Sequence, residues 1–222
     1  ELYSAGDIKQ VMAHGQPALV LARELGLKEL VGRILTNLCW PFVAQKQLDK
    51  AQEALCEAQA IWRELGNLPR LAEASRFMLR LHFMTGEHKR VLAEAPALRE
   101  LSVSIGSRQD QADAIGLLAN THARQGNFGL ALNYMAEMEA IFTAIGHAKD
   151  EQGHQWGRLV FYLTVGATQE AERWADRLYA QRHAIMPNFS TIYLTEVARA
   201  KIACGKLDVG RAILDELLAA LP

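Results

Sequence analysis

Arginine and aromatic side chains are the groups of this chain best suited to chemistry, and that chemistry is recognition. Arg76, Arg80, Arg124 and Arg199 are interleaved along the sequence with Trp40, Phe77 and Trp156. Guanidinium groups hold carboxylates through two parallel hydrogen bonds, and aromatic rings supply large, stiff contact area. Such a set suits an acidic or C-terminal peptide with apolar anchors. The competing reading puts the rings in the core and leaves the arginines solvated on the surface. Other chemistry finds no pattern. His14, His82, His88, His122, His147, His154 and His183 are scattered without an HExxH spacing, and His147 with His154 lacks acidic or cysteine company. Cys39, Cys56 and Cys204 form no CxxC pair and sit in apolar helical patterns, as expected of buried, reduced thiols. Asp110 with Asp113, and Glu53 with Glu57, stand at helical-neighbour spacing and read as ordinary solvated charge. No GxGxxG or GxxxxGK[ST] loop is present for a nucleotide. The expectation is a non-enzyme with no catalytic residues, no metal and no cofactor.

Positioning the arginines and rings falls to a repeat. Gly26, Gly66, Gly106 and Gly146 share one spacing, since 66−26, 106−66 and 146−106 all equal 40, and each closes an amphipathic run: ARELG, WRELG, SVSIG, FTAIG. A second series falls midway at Gly6, Gly86, Gly126 and Gly166, with Lys46 in the same place in one copy and Gly205 one residue early in another. Each unit is therefore two helices, A and B. With 50% hydrophobic and 7% aromatic residues the chain is rich in alanine and leucine, which suits close helix packing, so the fold class is all-α. B helices are predicted near 7–25, 48–65, 88–105, 128–145, 168–185 and 207–221, and A helices near 28–45, 68–85, 108–125, 148–165 and 189–204. The units form a single domain over 1–222: a half-repeat 1–26, then 27–66, 67–106, 107–146, 147–186 and 187–222.

Pro41 and Pro96 fall inside predicted helices and are expected to bend or break them, as is Pro17 after His14-Gly15-Gln16. Lys plus Arg total 24 against 25 acidic residues, so no nucleic-acid contact is expected. No apolar stretch reaches membrane-span length and the opening ELYSAGDIKQV is no secretory signal, which favours the cytoplasm and no membrane contact. The start without Met, half way through a repeat, predicts a segment of a longer chain. The last helix, GRAILDELLAALP, keeps an apolar face that further chain, a partner or self-association through the terminal helices would cover.

The joint Gln125-Gly126-Asn127-Phe128-Gly129-Leu130-Ala131 resembles the G-[DN]-[FY]-x-x-A turn of tetratricopeptide repeats. There glycine permits the left-handed turn, Asn127 caps the next helix, Phe128 wedges between helices and Ala131 allows close approach. Gly6-Asp7-Ile8, Gly166-Ala167-Thr168 and Gly205-Lys206-Leu207-Asp208 are related joints, and Leu35, Leu38, Cys39 and Phe42 match the pattern upstream. The second copy departs, with Leu79 and Val91 where small residues are usual, and its helices are expected to stand apart. The 40-residue period and the phrase IWRELGNLPR resemble the longer variant found in MalT-like and other LuxR-type bacterial signalling regulators. The resemblance implies a right-handed α-solenoid whose A helices line a concave groove. Its register places Arg33, Thr36, Asn37, Trp40, Glu73, Arg76, Phe77, Arg80, Phe83, Met84, Asp113, Asn120, Arg124, Trp156, Thr195, Glu196 and Arg199 in that groove. The Lys and Asn of the chaperone-binding carboxylate clamp are not reproduced, since Thr36, Trp40 and Phe77 stand at three of those places. The leading expectation is a protein- or peptide-interaction module of a larger regulator, its partner another protein or another domain of the parent chain. The alternative is a small-molecule sensor that switches an attached ATPase or DNA-binding module. A closed polar pocket around Trp40, Asn37 and Arg80 would favour the sensor, and an open track would favour peptide binding. Charge reversal at Arg76 and Arg80 is expected to abolish partner capture with little change in melting temperature.

Overall fold

The computed structural model describes residues 5–145, 152–184 and 187–219. These contain eleven α-helices: α1 (Ala5–Glu24), α2 (Lys28–Ala44), α3 (Leu48–Glu64), α4 (Leu68–Met84), α5 (His88–Ser104), α6 (Arg108–Arg124), α7 (Phe128–Ala144), α8 (Gln152–Thr164), α9 (Thr168–Ala180), α10 (Pro187–Ala203) and α11 (Leu207–Ala219). A short 3-10 turn at Arg182–Ala184 follows α9. After the unpaired α1, successive helices pack as antiparallel pairs, α2 with α3 through α10 with α11. The architecture is the all-α helical-repeat stack that the glycine period predicts. No helix among the described residues is long and apolar enough to cross a membrane.

The turns explain the period. At the α3 terminus Gly66 has φ +63, the Gly66 N–H donates to the Arg63 carbonyl at 3.1 Å and the Asn67 N–H to the Trp62 carbonyl at 3.0 Å. This is a Schellman motif, which satisfies the last helical carbonyls and demands a left-handed residue. Gly146 lies outside the described residues. Lys46 adopts the same conformation at φ 59, where a Cβ crowds the carbonyl. Lys46→Gly is therefore expected to raise stability by up to about 1 kcal/mol, after allowing for the extra chain entropy of glycine. A shift of the urea midpoint upward at constant slope would bear this out, and an unchanged midpoint would show that the turn carries no strain.

Several local expectations are corrected. α1 runs unbroken through Pro17, α2 through Pro41 and α5 through Pro96; packing of each helix on its neighbours outweighs one lost hydrogen bond and the ring clash. Gly6 sits in the first turn of α1 rather than in an interhelical joint. Asn127 makes no side-chain cap bond, whereas Asn67 and Ser107 do, accepting from the amides of Arg70 and Asp110. Phe128 is 45% exposed: it is the first residue of α7, where a side chain leans back past the helix start, so it does not wedge between helices. Ala131, by contrast, is fully buried.

The core passes along the stack as overlapping clusters over α1–α4, α4–α7, α6–α8 and α8–α11. Its largest fully buried side chain is Trp62, whose Nε1 donates to Thr36 Oγ1 at 3.4 Å. Gly32 makes room for that ring, because a Cβ there would lie 2.8 Å from it. In the second copy Leu79 and Val91 are both fully buried, and α4 and α5 pack less intimately than α2 with α3 or α6 with α7. A groove of about 480 Å3 opens there between α3 and α5, with Leu79 in its floor. At the end of the stack the apolar residues of α11 divide between core and solvent: Ile213 is buried and Leu214 and Leu217 pack on the α8–α10 cluster, while Leu207, Val209 and Leu218 are exposed, so an apolar surface does remain there.

Candidate functional site

α2, α4, α6, α8 and α10 touch one another in succession, whereas no two of α3, α5, α7, α9 and α11 pack comparably among the described residues. A stack drawn together on one side bends toward that side, so the A helices line the concave face. Open grooves lie between the outer helices: the one over α4, one of about 460 Å3 between α5 and α7, and one of about 520 Å3 between α7 and α9. None of the three is lined by Trp40, Asn37 or Arg80.

On the concave face the α2 side chains Arg33 and Asn37 are exposed and Trp40 half-buried. Trp40 meets Phe77 of α4 edge to face, centroids 5.7 Å apart. The Arg80 guanidinium stands 6.0 Å from the Trp40 ring centre, and that of Arg76 stands 4.8 Å from the Phe77 ring centre. Arg124 on α6 lies 4.5 Å over Phe83, which is itself nearly buried. The structure therefore brings Trp40, Phe77, Arg76 and Arg80 together across α2 and α4, while Arg124 of α6 sits apart over Phe83 near the end of α4. Asn120 lies on the same face and donates from Nδ2 to the Gly116 carbonyl at 2.9 Å, leaving its amide oxygen. Trp156 and Arg199 form a separate group on α8 and α10: Trp156 stacks on Tyr193 at 5.6 Å, and Arg199 pairs with Glu196 at 2.6 Å. Thr36 does not reach the groove. It is buried and donates to the Gly32 carbonyl at 2.8 Å.

Charges divide the arginines into two kinds. Arg76 pairs through Nε with Asp110 at 3.0 Å and through Nη1 with Asp113 at 3.2 Å, and Asp113 is 5% exposed. Those aspartates are a strut between α4 and α6, not solvated surface. Spacing along one helix could not show this, because the partner arrives from the preceding repeat. Arg199 is likewise neutralised within its own helix. Arg33, Arg80 and Arg124 have no carboxylate within ion-pair distance among the described residues.

Other buried polar groups escaped the sequence pattern. Arg158 is 1% exposed and lies between the rings of Phe142, at 4.9 Å, and Trp174, at 4.5 Å. Lys201 of α10, also buried, reaches Glu172 at 2.9 Å and Asp176 at 2.5 Å on α9, and Lys206 reaches Glu172 at 2.8 Å. Burial pulls the Lys201 ammonium down, but hydrogen bonds to Asp176 and Glu172 more than reverse it, so its pKa is raised. Hydrogen bonds from Lys206 and then Lys201 hold the Glu172 carboxyl at about 2. A carboxyl depressed in the folded state stabilises above its unfolded value near 4.5 and loses that contribution as pH falls toward 2. Acid is thus expected to loosen the α9–α11 end over that window, read by hydrogen exchange of α10 amides, and Glu172→Gln should flatten the response. An unaltered pH response in that variant would contradict the assignment. Cys39 is buried, which pushes its thiol up to about 12 and leaves it unreactive, whereas Cys56 is exposed. The side chains of His147 and His154 lie outside the described residues.

No protein-family model matches the chain, and no curated protein is significantly similar to it in sequence. Among solved structures, the crystal structure of BtubC (BKLC) from P. vanneervenii matches with a TM-score of 0.67, covering 97% of this chain and 94% of that one at 15% identity. The fold is a tetratricopeptide-like α-solenoid. At that identity the likeness speaks for the fold alone, and it lends no support to the link with LuxR-type regulators.

Proposed function

We propose that this chain is a non-catalytic interaction module that takes an acidic peptide segment with apolar anchors along the concave face of α2, α4 and α6. The segment belongs to a partner protein or to another domain of the same parent chain. The observation that carries this reading is the trio Arg33, Arg80 and Arg124, unpaired by carboxylates among the described residues, on an open track that includes Trp40 and Phe77. A guanidinium held over a ring is oriented without being neutralised, so it remains available to a ligand carboxylate. Asn37 and the Asn120 amide oxygen offer hydrogen bonds to an extended backbone. The open track favours a peptide over an enclosed small molecule.

Selection from a random peptide display library tests the reading. Enrichment of sequences with two or more Asp or Glu around a Trp, Phe or Leu supports it, with binding that weakens as salt rises. Enrichment of basic sequences, or of none, removes it.

A further inference from the structure

Beyond Arg80 the end of α4 carries a second group of polar side chains around one ring. Phe83 follows Arg80 by a single helical turn, which advances about 4.5 Å along the axis and returns to nearly the same face. Its ring is flanked by the Arg124 guanidinium of α6, 4.5 Å from the ring centre, and by the imidazole of His88, the first residue of α5, with centroids 5.8 Å apart. Neither group is compensated among the described residues. Arg124 has no carboxylate within ion-pair distance, and His88 Nδ1 is buried without a hydrogen-bond partner, which leaves Nε2 for a ligand. The other charges around His88 are of like sign or already engaged. Lys89 and Arg90 follow it on α5, and Glu87, in the turn from α4, is held by Arg90 at 3.0 Å and by the Thr85 hydroxyl at 3.2 Å, with His82 of α4 at 3.6 Å. Burial, and then the charge of Arg124, hold the His88 pKa below its ordinary value of 6.5.

We infer that Arg124 and His88 form a second carboxylate subsite, which takes an acidic side chain of the bound peptide between the guanidinium and the imidazole Nε2. The subsite rests on the concave face being a peptide-binding surface, and it makes that binding sensitive to pH. A carboxylate placed there accepts charge-assisted hydrogen bonds from Arg124. It also offsets the field of the guanidinium at His88 and so favours the imidazolium. Burial of Nδ1 weighs on the imidazolium equally with and without the peptide, so the difference between the two states comes from the carboxylate. The His88 pKa is therefore higher in the complex than in the free chain. The added affinity is complete below the free value and is lost as pH rises through the value in the complex, by about tenfold for each unit between them.

Two probes test the subsite on the full chain. Acetate, added at constant ionic strength, is followed through the His88 ring protons by NMR, assigned with His88→Gln. A C-terminally amidated peptide from the acidic, apolar display selection is titrated by calorimetry from about pH 5.5 to pH 8, where its side-chain carboxylates stay ionised. Acetate is expected to raise the His88 pKa in wild type and not in Arg124→Gln. Peptide affinity is expected to fall at least about threefold across that range in wild type, and His88→Gln to remove most of the fall; circular dichroism checks that both variants are folded. A His88 pKa indifferent to acetate, or the same pH dependence of peptide binding in wild type and His88→Gln, would overturn the subsite while leaving the peptide-binding face standing. Failure of every acidic peptide to bind would remove that face and the subsite with it.

Discussion

Truncation of Trp62 to alanine is expected to remove about 3–5 kcal/mol of stability, the range for deleting a large buried aromatic side chain. Nothing nearby can refill the space easily. The ring is fully buried among Val31, Leu35, Ala58 and other residues of the N-terminal cluster, its N–H has a partner in Thr36, and Gly32 has already brought a backbone against its face. In a stack whose repeats depend on their nearest neighbours, the loss should fall on α1–α4 first and split a single unfolding transition into two. Guanidinium unfolding followed by hydrogen exchange checks this. Uniform destabilisation of less than about 1 kcal/mol would show that the ring fills no essential volume. Gly32→Ala probes the other side of the contact: the methyl gains helix propensity but lands 2.8 Å from the indole, so a net loss is expected.

Reversing Arg80 and Arg124 together to glutamate is expected to weaken acidic-peptide binding at least a hundredfold, about 2.7 kcal/mol, while leaving the melting temperature nearly unchanged. Both guanidinium groups lie beside rings and outside ion pairs, so their replacement removes ligand contacts and breaks no internal ion pair, only two ring contacts worth about 0.5–1 kcal/mol each at exposed sites. This pair supersedes Arg76 with Arg80 as the informative substitution. Arg76→Glu would set three carboxylates together at the α4–α6 strut, two of them, Asp110 and Asp113, largely buried, and would destabilise the stack. Lost binding in that variant would therefore not distinguish recognition from unfolding. Calorimetric titration of a selected peptide, with thermal melts of both variants, separates the two roles.

The fold was legible because its punctuation is chemical. A left-handed turn needs glycine, and glycine recurring every 40 residues marks where helices end; even Lys46, the exception, kept its place and its positive φ. Proline misled, because a helix packed on both sides survives a broken bond that an isolated helix would not. The candidate site was legible in part. Residues such as Trp40, Arg80 and Arg124 follow from the register of one helix, so their common face could be read. Asp113, Lys201 and Arg158 could not be read as partners, because the charges or rings they meet come from other helices. Phe128 was misread because the family's joint predicts a wedge, whereas exposure is decided by the neighbour it lacks.

The most direct test of the concave face as the recognition surface locates the ligand itself. A selected acidic peptide carrying a photoreactive residue at its apolar anchor would be irradiated with the intact chain and the adducts mapped by mass spectrometry. The account predicts adducts on α2, α4 and α6, centred on Trp40, Phe77 and Arg80. Adducts on α3, α5 or α7, along the outer grooves, would contradict it.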